Sequence, residues 1–346
     1  MKEQRWKRRP HGSNWGDFGP DDQRGRLNLV TPEKVRQGLA EAKQGITFCL
    51  SLPLDYPGGS LLNPRRHPPA LRPTLREGRP NFNCTLADPN CSDVFNDDLA
   101  ILHLQYSTQW DSLAHVGGLF DADGDGVAER VYYNGFRAGE AVVGPTEASG
   151  AGLNGTEGTS SAHALGVENL AAHGVQGRAV MIDLRAHFGD AQRRVGYDDL
   201  MAAMRKDGVE VESGDFVCLH TGFAERILQM KKDPDPKVLH GACASLDGRD
   251  SRLLNWISSS GLAALVADNY AVEALPASPG ADACCSMLPL HEHCLFKNGI
   301  PLGELWHLTP LADWLRAHRR SRFLLTAPPL RLPGAVGSPV TPIATV

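Results

Sequence analysis

Long hydrophobic runs are missing from this 346-residue chain. No stretch approaches the roughly 18 consecutive apolar residues of a membrane span, and the basic opening MKEQRWKRRP is not followed by the apolar segment of a secretory signal. The expectation is a cytoplasmic protein with no membrane partner. Charge of one sign is equally scarce. Against 40 acidic residues stand 35 basic ones, a net −5 with no long run of either sign, which removes the electrostatic footprint of a nucleic-acid binder. The eight cysteines show no CxxC spacing and sit in a chain too large to need disulfide staples, so they are expected to be reduced. In a cytoplasmic protein the sequon Asn154-Gly155-Thr156 is a chance match. Internal repeats are absent, and so is a GxSxG nucleophile elbow.

What is present is enough apolar residue, 42%, to bury a large core, cut by 24 prolines and 36 glycines into many short elements. Thr31 as N-cap with Pro32 behind it starts a helix that Val35, Leu39 and Ala42 continue at helical spacing. GITFCLSLPL from Gly45 reads as a strand. From about Asp55 to Asp98 the chain is rich in Pro, Arg and Asn with little periodicity, the pattern of a long functional loop that covers a pocket. LAILHLQY from Leu99 then reads as a strand. Later, VENLAAHG, YDDLMAAMRKDG and SRLLNWISSSG alternate as helices with the apolar strands RAVMIDL, DFVCLH and LAALVADN. That order predicts a layered α/β domain over residues 1–346, with residues 1–45 as an N-terminal wrapping segment.

The densest set of metal-ligating side chains lies in HLQYSTQWDSLAHVGG, where Gln105, Gln109, Asp111 and His115 form the pattern QxxxQxDxxxH. A catalytic metal site needs about three protein ligands and an open position for water; Asp111 would supply charge and the two glutamine carbonyls neutral oxygens. On residue types alone, a polar strand whose side chains hydrogen-bond one another is an equal reading. His115 suits general acid–base work, since imidazole titrates near neutral pH. A Cys–His nucleophile has no signature around any cysteine.

The segment resembles the signature HxGTHxDxxxH of the cyclase superfamily, which includes kynurenine formamidase, isatin hydrolase and trans-dienelactone hydrolase. Gln105 and Gln109 stand where two histidines are usual, while Thr108, Asp111 and His115 match. The trans-dienelactone hydrolase branch carries this glutamine version. SNWGDFGPDDQRGRLNLVTPEKV near the start, GVENLAAHGVQGRAVMIDL, LHTGF, LPLHEHCLFKNGIPLGELWHL and LTAPPLRLPGAVGSPVTPIA are also similar to family segments, in the family's order.

The resemblance implies a swivelling β/β/α-type layered α/β fold, a homodimer or homotetramer, and no organic cofactor. It implies a metal held by Gln105, Gln109 and Asp111, with His291 and Glu304 as further ligands, or their neighbours His293 and Glu292 if the alignment shifts. Zn²⁺ is expected from the branch resembled, while replacing imidazoles by amides favours a harder ion such as Mn²⁺. The implied reaction is hydrolysis of a small cyclic or conjugated carbonyl compound, a lactone, cyclic amide or aryl-formamide. Two other readings stay open: a non-hydrolytic cyclase or dehydratase, and a silent ligand-binding member. Candidates for substrate contact are Trp110 inside the motif, as core or pocket wall; Trp15 and His67 in loops; and His220 after a strand. Separately, Asp121, Asp123 and Asp125 before Gly126 imitate the first half of an EF-hand Ca²⁺ loop, but Tyr132 stands at the position of the closing glutamate.

Overall fold

The computed structural model describes residues 4–88, 90–152, 160–280 and 285–346; the sequon at Asn154 and Cys284 lie outside them. Among the described residues, nine strands make the principal sheet: β1 (Thr47–Cys49), β2 (Gln109–Asp111), β3 (Gln176–Asp183), β4 (Phe216–His220), β5 (Ala264–Ala267), β6 (Leu302–Glu304), β7 (Arg322–Thr326), β8 (Gly337–Pro339) and β9 (Ile343–Thr345). Their spatial order is β1-β9-β7-β3-β4-β5-β6-β2-β8. The four central strands, β3 to β6, are mutually parallel, and the strands outside them pair antiparallel.

The parallel strands are apolar on both faces because helices cover both, and so they read in the sequence as continuous runs instead of alternations. Val180, Ile182, Val217, Leu219, Leu265 and Ala267 face a core shared with Leu200 and Met204 of the helix Tyr197–Asp207 and with Leu253 and Ile257 of Ser251–Ser259. The alternate residues Ala179, Met181, Phe216, Cys218, Ala264 and Val266 face a second core with Leu170, Leu311 and Leu315. The helix Pro32–Leu39 starts as the sequence predicts, with the Thr31 hydroxyl accepting the Lys34 N–H. The helix Tyr197–Asp207 ends at Gly208 in the left-handed region.

Two expectations need correction. The LAIL run forms a strand at Asp98–Ile101, but it pairs with Ala70–Pro73 in a separate ribbon, and Leu71 and Leu99 are exposed. The chain then turns at His103 to Tyr106, so Gln105 sits on a turn and the sheet strand begins only at Gln109. The stretch 55–98 is not one loop: it contains two short antiparallel ribbons and one strand of a third. No described helix is long and apolar enough to cross a membrane. The described cysteines are free.

Candidate active site

Register places the motif. In β2, Gln109 and Asp111 point to one face and Trp110 to the other. Gln109 lies opposite Glu304 of β6 and Pro339 of β8; Asp111 lies opposite Leu302 and Gly337. Trp110 drops into the second core, edge-on to Trp306 with ring centroids 5.0 Å apart, and its indole N–H reaches the Ala327 carbonyl at 2.8 Å. Gly303 is paired with Trp110, and a Cβ at this glycine would lie 2.9 Å from the Trp306 ring. Thr108 ties the strand at both sides, donating to the Leu305 carbonyl and accepting the Leu52 N–H.

His291 arrives from the connection between β5 and β6. Pro289 opens a short helix, Pro289–His291, that widens into a π turn over Glu292–Lys297, a geometry frequent at functional sites. The His291 ring is held by Glu273, whose Oε1 lies 2.8 Å from Nδ1, so Nε2 points at Glu304 Oε1, 3.2 Å away. One ligand atom from each of Asp111, His291 and Glu304 then lies within 4.8 Å of the others. All three are buried. Burial and the neighbouring Asp111 push the Glu304 carboxyl well above its ordinary range, with His291 opposing. Burial alone would lower His291, but its hydrogen bonds and attraction to Glu273 and Glu304 outweigh this and raise it.

The glutamines take an unforeseen orientation. Gln105 Nε2 donates to Asp111 Oδ1 at 2.7 Å and lies 2.8 Å from His115 Nδ1; Gln109 Nε2 lies 3.0 Å from Glu304 Oε2 and 3.4 Å from Asp111 Oδ1. Both amides thus turn nitrogen toward carboxylates, the one arrangement that does not set like acceptors together. Gln109 Oε1 and Asp111 Oδ2 remain buried with no hydrogen-bond partner. Two orphaned oxygens beside a carboxylate–imidazole–carboxylate cluster are costly unless an electrophile completes them. The residues therefore fit a divalent cation, with Asp111, His291 and Glu304 as the geometric set and Gln109 Oε1 in reserve. Gln105 presents its amide nitrogen here, contrary to the expected carbonyl ligand.

His115 follows a tight turn closed by its own N–H to the Ser112 carbonyl, 3.0 Å. Its Nε2 is 3.9 Å from Asp111 Oδ2. Burial, opposed by Asp111 and reinforced by His291 and Arg66, depresses its pKa and keeps the ring neutral. With His291, Glu304, Tyr106 and Tyr270 it lines a cavity of about 420 Å³ that the segment 57–66, Arg66 included, also lines.

The other candidates lie elsewhere. Trp15 is core: its indole N–H donates to the Phe296 carbonyl at 2.8 Å and its ring packs edge-on against Trp6, Phe120 and Phe296, which buttresses the π turn. Trp110 is core too, as described. His220 is buried with both nitrogens engaged, Nδ1 at 2.7 Å from Asp183 and Nε2 at 3.0 Å from Thr309, so no ring nitrogen is left for a substrate. His67 is exposed and packs on His103 outside the cavity, although the adjacent Arg65 and Arg66 line it. His293 turns away to Ser258 and Asn298, and Glu292 pairs with Lys297. Asp121, Asp123 and Asp125 do converge, yet their oxygens already accept backbone N–H groups of their own turn and face Arg8 and Arg137.

Glu273 and Arg66 escaped the sequence reading. Neither lies in a motif, and only folding brings them to the cluster.

The "Putative cyclase" family model matches residues 50–274, more than half of the chain. A solved structure described as a novel cyclase is 30% identical over 96% of this chain and 97% of that chain, with a TM-score of 0.71. The protein belongs to the cyclase family. Isatin hydrolase A from Ralstonia solanacearum, 14% identical over 91% of this chain and 98% of its own, has a TM-score of 0.55. Isatin hydrolase A from Labrenzia aggregata, bound to benzyl benzoate, is 14% identical over the same shares with a TM-score of 0.54. At that identity the likeness is one of fold, the mixed α/β fold described above. No curated protein matches the sequence.

Proposed function

We propose that the protein is a metal-dependent hydrolase that opens a small lactone, cyclic amide or aryl-formamide with activated water. The observation that carries this reading is the pair of partnerless buried oxygens, Gln109 Oε1 and Asp111 Oδ2, beside His291 and Glu304. Asp111, His291 and Glu304 would hold the cation, Zn²⁺ or Mn²⁺ by donor type. Such an ion polarises a carbonyl and lowers the pKa of water from 15.7 toward about 7.

The chain's own residues do the rest. His115, neutral and lining the cavity, takes a proton from water and returns it to the leaving oxygen or nitrogen. In the orientation seen, Gln105 donates to Nδ1, which places the proton of the neutral ring on Nε2. Service as a base at Nε2 requires the ring proton on Nδ1, with the Gln105 nitrogen released from that atom. Glu273 keeps His291 in one tautomer, the arrangement common around metal-ligating histidines.

The test is elemental analysis of protein purified without chelators, alongside Asp111→Ala, with both assayed on lactones, cyclic imides and formamides. About one or two Zn or Mn per chain in the wild type, lost with activity in the variant, is expected. A wild type that takes up no metal after supplementation sinks the reading.

A further inference from the structure

We propose that Arg66 selects carboxylate-bearing substrates, so that the cavity takes small organic acids in preference to their neutral analogues; this rests on the hydrolase reading above.

Arg66 is half-buried and lines the same cavity as His115, His291 and Glu304. Its Nη1 donates to the Gln105 carbonyl at 2.6 Å. That bond fixes the guanidinium to the same turn whose side chain holds Asp111 and His115. Guanidinium carries five N–H donors, and this contact uses one. Among the described residues no carboxylate forms an ion pair with Arg66, whereas the half-buried Arg137 is paired with Glu129 and the half-buried Arg185 with Asp190.

The start of the wall segment that carries Arg66 is tied down. The Tyr106 hydroxyl accepts the Gly58 N–H at 2.9 Å and donates to the Gly59 carbonyl at 2.8 Å, pinning the start of the segment 57–66. A cation anchored to the Gln105 carbonyl with spare planar donors matches a carboxylate. Asp111 and Glu304 would repel an entering anion, and Arg66 reverses that local sign. A neutral substrate filling the cavity would strip water from the guanidinium and return no partner, a penalty that discriminates strongly between analogues. The volume of about 420 Å³ confines the choice to small molecules.

The experiment titrates benzoate and benzamide into the metal-loaded wild type, Arg66→Gln and Arg66→Lys by calorimetry. The same proteins are assayed on a carboxylate-bearing lactone and its methyl ester. The wild type should bind benzoate on the order of 10- to 100-fold more tightly than benzamide. Arg66→Gln should abolish that ratio, with KM for the acid rising more than kcat falls, and Arg66→Lys should restore part of it. A benzoate preference that survives in Arg66→Gln overturns the proposal, since the carboxylate is then held by another group. Hydrolysis without discrimination between acid and ester defeats the proposal and leaves the hydrolase standing. Arg66-dependent benzoate binding with no hydrolysis of any substrate defeats the hydrolase and leaves the anion site.

Discussion

Glu273 Oε1 accepts twice from His291, from the backbone N–H at 3.0 Å and at 2.8 Å from the ring Nδ1, while its Oε2 accepts the Leu290 N–H. One carboxylate therefore holds both the short helix Pro289–His291 and the ring direction of His291. Glu273→Gln keeps the shape and removes the charge. Metal affinity should fall roughly 10- to 100-fold, read by competition with a chromophoric chelator. Unchanged affinity would mean that His291 is not a ligand.

Asp111 and Glu304 are buried side by side and repel without a cation between them. Chelation should lower the wild-type melting temperature by several degrees, because metal bound to the folded state stabilises it by mass action. Glu304→Gln should lose this response, and its metal-free form should melt no lower than the metal-free wild type. A large destabilisation of that metal-free variant would show that the charge serves the fold instead of an ion.

Gly337 lies opposite Asp111, and a Cβ there would meet Gln105 Cγ at 2.7 Å and Cδ at 2.8 Å. Gly337→Ala must push Gln105 away from Asp111 and His115. We expect kcat/KM to drop on the order of tenfold or more with an unchanged circular dichroism spectrum. Full activity would remove Gln105 from the mechanism.

His220 supplies a pH signature of stability. Burial pulls its pKa down, but the Asp183 hydrogen bond and the charges of Asp268 and Asp183 raise it overall. A raised histidine stabilises the fold fully below its unfolded value, about 6.5, and the contribution fades as pH climbs through the folded value. In urea unfolding, the gap between wild type and His220→Gln should be larger near pH 6 than near pH 9. A gap that widens with pH would contradict a charged His220.

Much of this was written into local sequence. Thr31 and Pro32 announce a helix, and doubly covered parallel strands announce themselves as apolar runs at 178–184, 215–220 and 262–269. The alternation Gln109, Trp110, Asp111 sends the tryptophan away from its neighbours as soon as the segment is extended. Burial of a polar side chain carries no such local mark. His220 reads as a site residue because its partners Asp183 and Thr309 lie 37 and 89 positions away. Arg66 and Glu273 sit in irregular segments with no periodicity, and their roles depend on long-range closure. Amide orientation is set by the surrounding acceptors, which no motif spells out.

The register of β6, β2 and β8 separates two rates of change in this molecule. Asp111, Gln109 and Glu304 are fixed by strand pairing, where a slip of one residue would turn every side chain to the opposite face. The wall at 57–66 is held mainly by its own turns and a tyrosine hydroxyl, and it can be rewritten without touching that pairing. Mutation can thus retune what enters the cavity while the reacting centre stays inherited, so descendants of such a chain diverge in diet before they diverge in chemistry.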